Sequence, residues 1–549
     1  MPRSLVTALA LAGALSAHAA DGDNAVREAR AAFQSGSASR LAVAASGIPP
    51  AHPLAPQVES WRLRLALPNA DEAAIRAFLT REDGTRAAQT LRLDWLKSLG
   101  AKQDWARFAP EYPKLVQPDL TLQCLGHRAE LALGRSARIQ EAVALWFTGK
   151  DMPSACTPLF EQLIAAGLIK PEDLWRRLRL ALDAGNPGVA RSIAAQLPPA
   201  ERDGLGELDR AAADPEGWLA RGPSQPNRLL REIAVYAIGR AARADSATAA
   251  SLLGAWRERL GDTEQRAAWG AIGFHAARRH EADALRHFVA AGPLALNDAQ
   301  REWWARAGLR AGDWGAVATA IDSMSAANRE ISVWRYWRAR AYKAQGQGAN
   351  ATRLLLALAR EPQYYGQLAQ EELGPTLRQA NVNIKPGSDE VEAAQKLPGI
   401  ARALALYELG WRTDAAAEWN FTVQRMSDDR QQLAAAEVAR RIGWYDRAIY
   451  AAELTRDHHD FELRFIAPYR ELASAAARAQ GIDEAWVYGL MRQASRFVNV
   501  ARSGVGASGL MQIMPATARW IARKLGLGQA DAANMGDPET NIRFGTFYL

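Results

Sequence analysis

Val487–Pro515 reads VYGLMRQASRFVNVARSGVGASGLMQIMP and joins a helix to a glycine-rich loop. Asp483 stands where an N-cap accepts the first free backbone N–H groups. Val487, Leu490, Met491 and Ala494 recur at i, i+3, i+4 and i+7, one apolar face of a helix. After Phe497 the periodicity lapses. Gly504, Gly506 and Gly509 crowd the next turns, and glycines this dense suit positive φ or backbone pressed close to a ligand. Pro515 fits the first turn of a further helix, Pro515–Leu525, which Gly526 ends.

These residues resemble the catalytic domain of the soluble lytic transglycosylases, which share a goose-type lysozyme fold. The family pattern is Glu-Ser on a helix, followed after a fixed gap by Gly-x-Ser-Gly-Leu-Met-Gln-x-Met-Pro. Ser495 matches the serine, Ser503 stands nine positions after the Glu position, and Gly506 through Pro515 matches the remainder without a gap. Asp537-Pro538-Glu539-Thr540-Asn541-Ile542 also looks like the family. The departure falls on the acid: Ala494 occupies the position of the family's catalytic Glu. The resemblance implies that this one carboxyl acts first as general acid to the glycosidic oxygen and then as general base. The substrate's N-acetyl group and 6-hydroxyl complete the reaction, a departure from the two-carboxylate scheme. A methyl group transfers no proton, and losing one general acid/base typically costs about 10²–10⁴-fold.

Glu484, ten residues earlier near the helix start, is not placed to substitute, and Asp531, Asp537 and Glu539 lie far along the chain. Ala is itself an ordinary residue on an apolar helix face. Its neighbours Leu490, Met491 and Phe497 are of the kind that would raise a carboxyl's pKa and keep it protonated. The resemblance further implies that Ser503, Met511 and Gln512 line a glycan groove and that Ser495 supports helix–loop packing. Plainer readings stand beside these. Leu510, Met511, Ile513 and Met514 form an apolar run that a core would use, and Ser503 suits a loop serine bonded to backbone. Arg496 and Gln493 read as peripheral.

Upstream, Ala, Leu and Arg dominate and helical apolar spacing repeats, with no alternating strand runs, so the expected class is all-α. Gly312 and Gly346 lie 34 apart and Gly410 and Gly443 lie 33 apart, each between two apolar helical runs. That period suggests tetratricopeptide-like helical hairpins stacked into a superhelix with a concave face. The resemblance implies such an α-superhelical domain, often closed into a ring, before the catalytic domain. The expected division is a signal peptide over 1–20, the superhelical domain over 21–385, a helical linker domain over 386–460 and the lysozyme-like domain over 461–549. Asn381–Ser388, NVNIKPGS, is the best internal boundary, and Asp457-His458-His459-Asp460 reads as a solvated loop. The chain stops at Leu549 within a helix beginning near Asp537. The family domain runs further, through an Ala-Tyr-Asn-Ala-Gly motif absent here, so the terminal domain is expected to be incomplete.

Composition bounds the rest. With 549 residues, 48% apolar and 23% charged, the chain has the composition of a soluble protein of several domains. Its 18 Trp are expected to pack between helices, with a few on a sugar-binding surface. The net charge of +7 and pI of about 9.4 form a modest excess. No Lys/Arg run or aromatic–basic interleaving points to nucleic acid. Arg3, the apolar run Leu5–Leu15 and Ala17-His18-Ala19 form a secretory signal pattern, which places the mature chain in the periplasm. No later stretch is long enough to span a bilayer. In an exported protein Cys124 and Cys156 pair as one disulfide, the alternative being two buried thiols. Two Cys and eight scattered His give no metal-ligand spacing, and no cofactor is expected.

The function expected from the resemblance is a peptidoglycan lyase. It cuts the bond from N-acetylmuramic acid to N-acetylglucosamine, leaves a 1,6-anhydro end, and is disabled here by Ala494. The alternatives are a non-catalytic peptidoglycan-binding or scaffold protein, and a helical-repeat interaction protein whose terminal domain is a relic. Expected partners are glycan strands in the groove and periplasmic proteins on the superhelix.

Overall fold

Helix signals in this chain are local and complete. Pro171–Asp183 starts on Pro171, carries Glu172 and Asp173 in its first turn, and buries Leu174, Trp175, Leu178, Ala181 and Leu182 on one face. The carboxylate of Asp173 accepts the Lys170 backbone N–H at 2.8 Å, satisfying a donor the helix cannot reach. Such helices fill the computed structural model, which describes residues 22–69, 71–374 and 382–549. The expected signal peptide, 1–20, lies outside the described residues. The four spaced glycines, Gly312, Gly346, Gly410 and Gly443, all take the left-handed conformation at hairpin turns, with φ of 70° to 79°. A side chain at any of them would be strained there.

The chain divides into two compact units. One runs from Leu99 to Gln379 and is a succession of helices. Its cores hold Trp146, Trp175, Trp256, Trp304 and Trp334. Cys124 and Cys156, both fully buried, are joined by a disulfide that closes a separation of 32 residues. Replacing both with alanine is expected to cost this unit about 3–4 kcal/mol in the loop-entropy account. Urea unfolding followed by the near-ultraviolet signal of its tryptophans checks this, and a loss below about 1 kcal/mol would contradict it.

The other unit combines Met1–Ser98 with Ala380–Leu549. The sequence division at 385 separates these segments, yet Val26, Leu41 and Trp61 share one core with Ile400, Trp419, Leu433, Met491, Leu510 and Phe544. Apolar faces on residues 22–34, Ala38–Ser46 and Ala55–Ala66 find their cover on the helices after 390. Arg27 donates to the Leu409 carbonyl at 3.1 Å, and Arg30 pairs with Asp414 at 2.6 Å while lying 4.1 Å above the Trp411 ring. Inside the same unit Arg402 and Glu418 form a buried ion pair at 2.7 Å.

Two short strands depart from the all-helical pattern: Val382–Asn383 pairs in parallel with His458–His459. Asp457–Asp460 is therefore not the solvated loop that its polar residues suggest. The Asp429 carboxylate accepts the backbone N–H groups of Arg456, Asp457 and His458 and folds the segment inward. His459 is buried between Thr455 at 2.9 Å and Arg464 at 3.0 Å. Burial, then the Arg464 charge, holds His459 below the usual imidazole range. Asp460 caps the short helix Phe461–Arg464, whose end meets the helix described next.

Candidate functional site

The helix Glu484–Ser495 starts on Asp483, whose carboxylate accepts the Ala485 N–H at 2.8 Å. Val487 and Met491 on its inner face are fully buried. Ala494 lies one turn further and is half-buried, at the edge where the buried face meets the surface. A larger side chain there could reach solvent-accessible space while its stem touched apolar neighbours.

The helix ends abruptly. Arg496 and Phe497 both take positive φ, at 48° and 66°, and Gln512 does so at 50°. Of the six non-glycine residues with positive φ among the described residues, three are therefore in this one place. Each such conformation costs about 1–3 kcal/mol and persists only where surrounding contacts impose it. The contacts are visible. Ser495 Oγ lies 2.7 Å from the Leu510 carbonyl and 3.2 Å from the Met491 carbonyl, and it accepts the Phe497 N–H at 3.2 Å. The Phe497 ring is buried. Arg496 pairs with Glu453 at 2.9 Å, and Arg492 reaches the same carboxylate at 2.8 Å and the Arg464 carbonyl. Glu453 thus grips the last turn of the helix from a separate element, Tyr445–Glu453.

The loop from Ala501 to Met514 is closed by its own hydrogen bonds. Ser503 accepts the Ala507 N–H on its hydroxyl at 2.9 Å and donates its own N–H to the Ala507 carbonyl. Ser508 pairs with both Arg502 and Ile513 as isolated bridges. Gln512 Nε2 donates to the carbonyls of Ala501 at 3.1 Å and Gly509 at 2.9 Å. Gly506 and Gly509 have positive φ, at 96° and 79°, but Gly504 does not. At Gly509 a Cβ would strike the Asn541 amide and the Met535 carbonyl, so only glycine fits.

Asn541 is the keystone of this loop. It is fully buried, accepts the Met511 N–H at 2.8 Å, and donates to the carbonyls of Ser508 at 3.1 Å and Met535 at 3.0 Å. It rides on the helix Pro538–Tyr548, capped by Asp537 through the Thr540 N–H and hydroxyl at 2.8 Å. Gly545 on that helix has no room for a Cβ, because the Met511 side chain fills the space.

The sequence-derived site residues are therefore distributed as follows. Ser495, Met511 and Gln512 meet around Leu510, next to position 494. Met511 is 5% exposed and packs against the last helix, while Gln512 is half-buried with its amide turned to the loop backbone. Ser503 sits further out on the loop, bonded locally. Glu484 is engaged with Ser474 at the far end of the helix, about 15 Å of rise from position 494. Arg492, Arg496, Glu453 and Asn541 also belong to this framework, and no sequence pattern points to the first three. Only Asn541 had a signal, its place in the run Asp537–Ile542. Most Trp are buried, but Trp486 is 71% exposed on this helix and Trp520 is 41% exposed on Pro515–Lys524. Among the described residues no group of His, Cys, Asp and Glu could hold a metal ion.

Comparison with known proteins places this geometry. Residues 471–549 match the family described as the transglycosylase SLT domain, and residues 393–455 match the soluble lytic murein transglycosylase L domain. A soluble lytic murein transglycosylase of Salmonella typhimurium is 28% identical over 532 residues, covering 91% of this chain and 78% of that protein. Among solved structures, an inactive Glu-to-Gln mutant of the lytic transglycosylase Slt from Pseudomonas aeruginosa superposes with a TM-score of 0.72 at 29% identity. That match covers 95% of this chain and 86% of the other. The 70 kDa soluble lytic transglycosylase of Escherichia coli gives a TM-score of 0.62 at 25% identity, covering 96% and 85%. Helix, strained turn, glycine loop and matched segments agree: residues 393–455 and 471–549 carry the L and SLT domains of the soluble lytic murein transglycosylases, and nearly the whole chain is similar to members of that family.

Proposed function

We propose that this chain carries the architecture of a peptidoglycan lytic transglycosylase and, with Ala494 at the acid/base position, holds glycan strands in the periplasm without cutting them. The observation that carries the reading is position 494 itself. It is half-exposed at the end of a helix whose last turn is fixed by Ser495 to the Leu510–Gln512 segment. The reaction of the family, as the resemblance implies it, needs one proton donor there. The acid protonates the oxygen between C1 of N-acetylmuramic acid and C4 of N-acetylglucosamine, and that bond breaks with the N-acetyl group supporting C1. The resulting carboxylate then takes the proton of the 6-hydroxyl as O6 bonds to C1 and closes the 1,6-anhydro ring.

Among the described residues, the two carboxylates tied to this helix have other partners. Glu453 is held by two arginines and Glu484 is spent on Ser474, each on the helix's supporting contacts rather than at position 494. In the Pseudomonas relative a Glu-to-Gln change is described as inactivating, which supports a single essential carboxyl in this family. The binding part of the reading rests on the resemblance, which assigns Met511, Gln512 and Ser503 to the glycan groove; here Met511 is buried against the last helix, and Gln512 and Ser503 are half-buried on the loop.

Sedimentation with purified sacculi tests the reading. The chain is expected to pellet with sacculi and to release no soluble fragments with 1,6-anhydro ends by mass spectrometry. Fragments of that kind from the Ala494 chain would refute the assignment of position 494. Failure to pellet would refute the peptidoglycan reading. No helix among the described residues is long and apolar enough to cross a membrane.

A further inference from the structure

Two cavities in the unit Leu99–Gln379 differ sharply in charge. In the first, about 790 Å³, four of the five lining arginines are answered by carboxylates, Arg179 by Glu232, Arg228 by Glu172, Arg231 by Glu264 and Arg301 by Asp298, while Arg176 lies over the Phe147 ring at 4.4 Å. The second, about 890 Å³, is lined by five cations, Lys150, Arg240, Arg243, Arg278 and Arg279, and one carboxylate, Asp183. Arg279 is paired with Glu281 and also holds the carbonyls of Ala242 and Arg243. Arg240 donates to the Ala212 carbonyl, and Arg278 lies over the Phe274 ring at 5.5 Å. Lys150, Arg243 and Arg278 are exposed. The floor is apolar: Leu180, Val235, Gly239, Ala271 and Phe274, with Gly239 and Ala271 letting the helices Arg228–Ala241 and Asp262–Arg278 approach closely.

We infer that this groove binds a short peptide bearing two or more carboxylates, and specifically the stem peptide of peptidoglycan. The apolar floor takes the peptide's backbone and methyl groups. The guanidinium forks of Arg243 and Arg278 take its carboxylates, the geometry in which arginine exceeds lysine. A concave wall of one sign concentrates field and draws such a ligand in. His275 among these cations is pushed down to about 4, by burial first and then by Arg243, Arg278 and Arg279, so it stays neutral and adds no charge. Asp183, the one carboxylate of this lining, is exposed and also lines the first cavity. Naming the stem peptide rests on the peptidoglycan reading above. The groove's preference for carboxylates rests on its own residues.

The test is titration calorimetry of the full chain with a synthetic stem tetrapeptide and with the same peptide amidated at its carboxylates. The intact peptide is expected to bind, more weakly as salt rises, and amidation is expected to weaken binding at least tenfold. Arg243→Gln combined with Arg278→Gln is expected to do the same. Both side chains are exposed, and Lys150→Gln, on a different helix–loop segment, supplies an independent variant expected to lose a smaller factor of about threefold. Equal binding of the amidated peptide, or unchanged affinity in both sets of variants, overturns the inference. Peptide-free glycan strands separate it from the previous reading. Strands bound with stem peptide ignored overturns the groove alone. Stem peptide bound with strands ignored overturns the glycan reading and leaves the groove standing.

Discussion

Replacing Ala494 with glutamate is expected to bring the release of 1,6-anhydromuropeptides from purified sacculi from none to a weak but measurable rate, since one general acid/base is usually worth about 10²–10⁴-fold. The helix can accept the change. Position 494 is half-exposed, so the carboxyl need not be forced into the core, and glutamate is a good helix former. Met491 and Phe497 beside it are buried and apolar, and Leu490 is half-buried. A carboxyl against that wall has its charged form disfavoured, so its pKa rises and the proton persists towards neutral pH. The sign of the pH dependence follows. The first step needs the protonated acid, so the rate of the variant should fall as pH rises through the raised pKa. Ala494→Gln is the control: it fills the same space, carries no transferable proton and should match the parent. Mass spectrometry of the products decides the chemistry. Reducing ends in place of anhydro ends would mean hydrolysis, and equal rates for the Glu and Gln variants would show that position 494 is not the acid.

The second large effect is structural. Asn541→Leu keeps the branched heavy-atom skeleton of the side chain but removes three hydrogen bonds at once. The Met511 N–H and the carbonyls of Ser508 and Met535 are left without this partner in a buried place. At about 1–3 kcal/mol for each stranded group, the cost is expected to be about 3–9 kcal/mol. That is a large part of the roughly 5–15 kcal/mol by which domains are stable. The loss should be local to the loop Ala501–Met514 and the helix Pro538–Tyr548. Hydrogen exchange should therefore lose protection there and keep it around the Cys124–Cys156 disulfide. Asn541→Asp keeps the acceptor for Met511 but sets a buried carboxylate oxygen against the Ser508 and Met535 carbonyls, and should cost at least as much. A global loss below about 1 kcal/mol with unchanged exchange would remove Asn541 from its central place in the loop.

Much of the site was legible because its signals are local. Asp483 as cap, the face Val487–Met491 and the glycines at 506 and 509 each announce themselves within a few residues. Gln512 did not, because glutamine carries no hint of a left-handed backbone; only Gly509 and Ala501, whose carbonyls its amide holds, explain it. Glu453 was invisible for a different reason. It is an ordinary charged residue 39 and 43 positions from the arginines it binds, and pairing at that range leaves no periodic trace. The helical class of the chain follows from caps and apolar spacing throughout. The partners of its first helices could not follow, since those partners lie nearly four hundred positions away.

That distance has a kinetic consequence. Arg27 and Leu409 meet across 382 residues, and Arg30 and Asp414 across 384. A ribosome adding about 5–20 residues per second needs roughly 20–75 s to cross such an interval. Throughout that time Val26, Ala29 and Leu41 have been made and their final neighbours have not. Local contacts can form the helices Ala38–Ser46 and Ala55–Ala66 early, but closing the loop to Ile400 and Trp419 must wait and carries the entropy of a very long chain. The Leu99–Gln379 unit is contiguous and can fold as soon as it is complete. The discontinuous unit, which holds position 494, is necessarily the last to fold, and its opening segment is the part most in need of a holding chaperone.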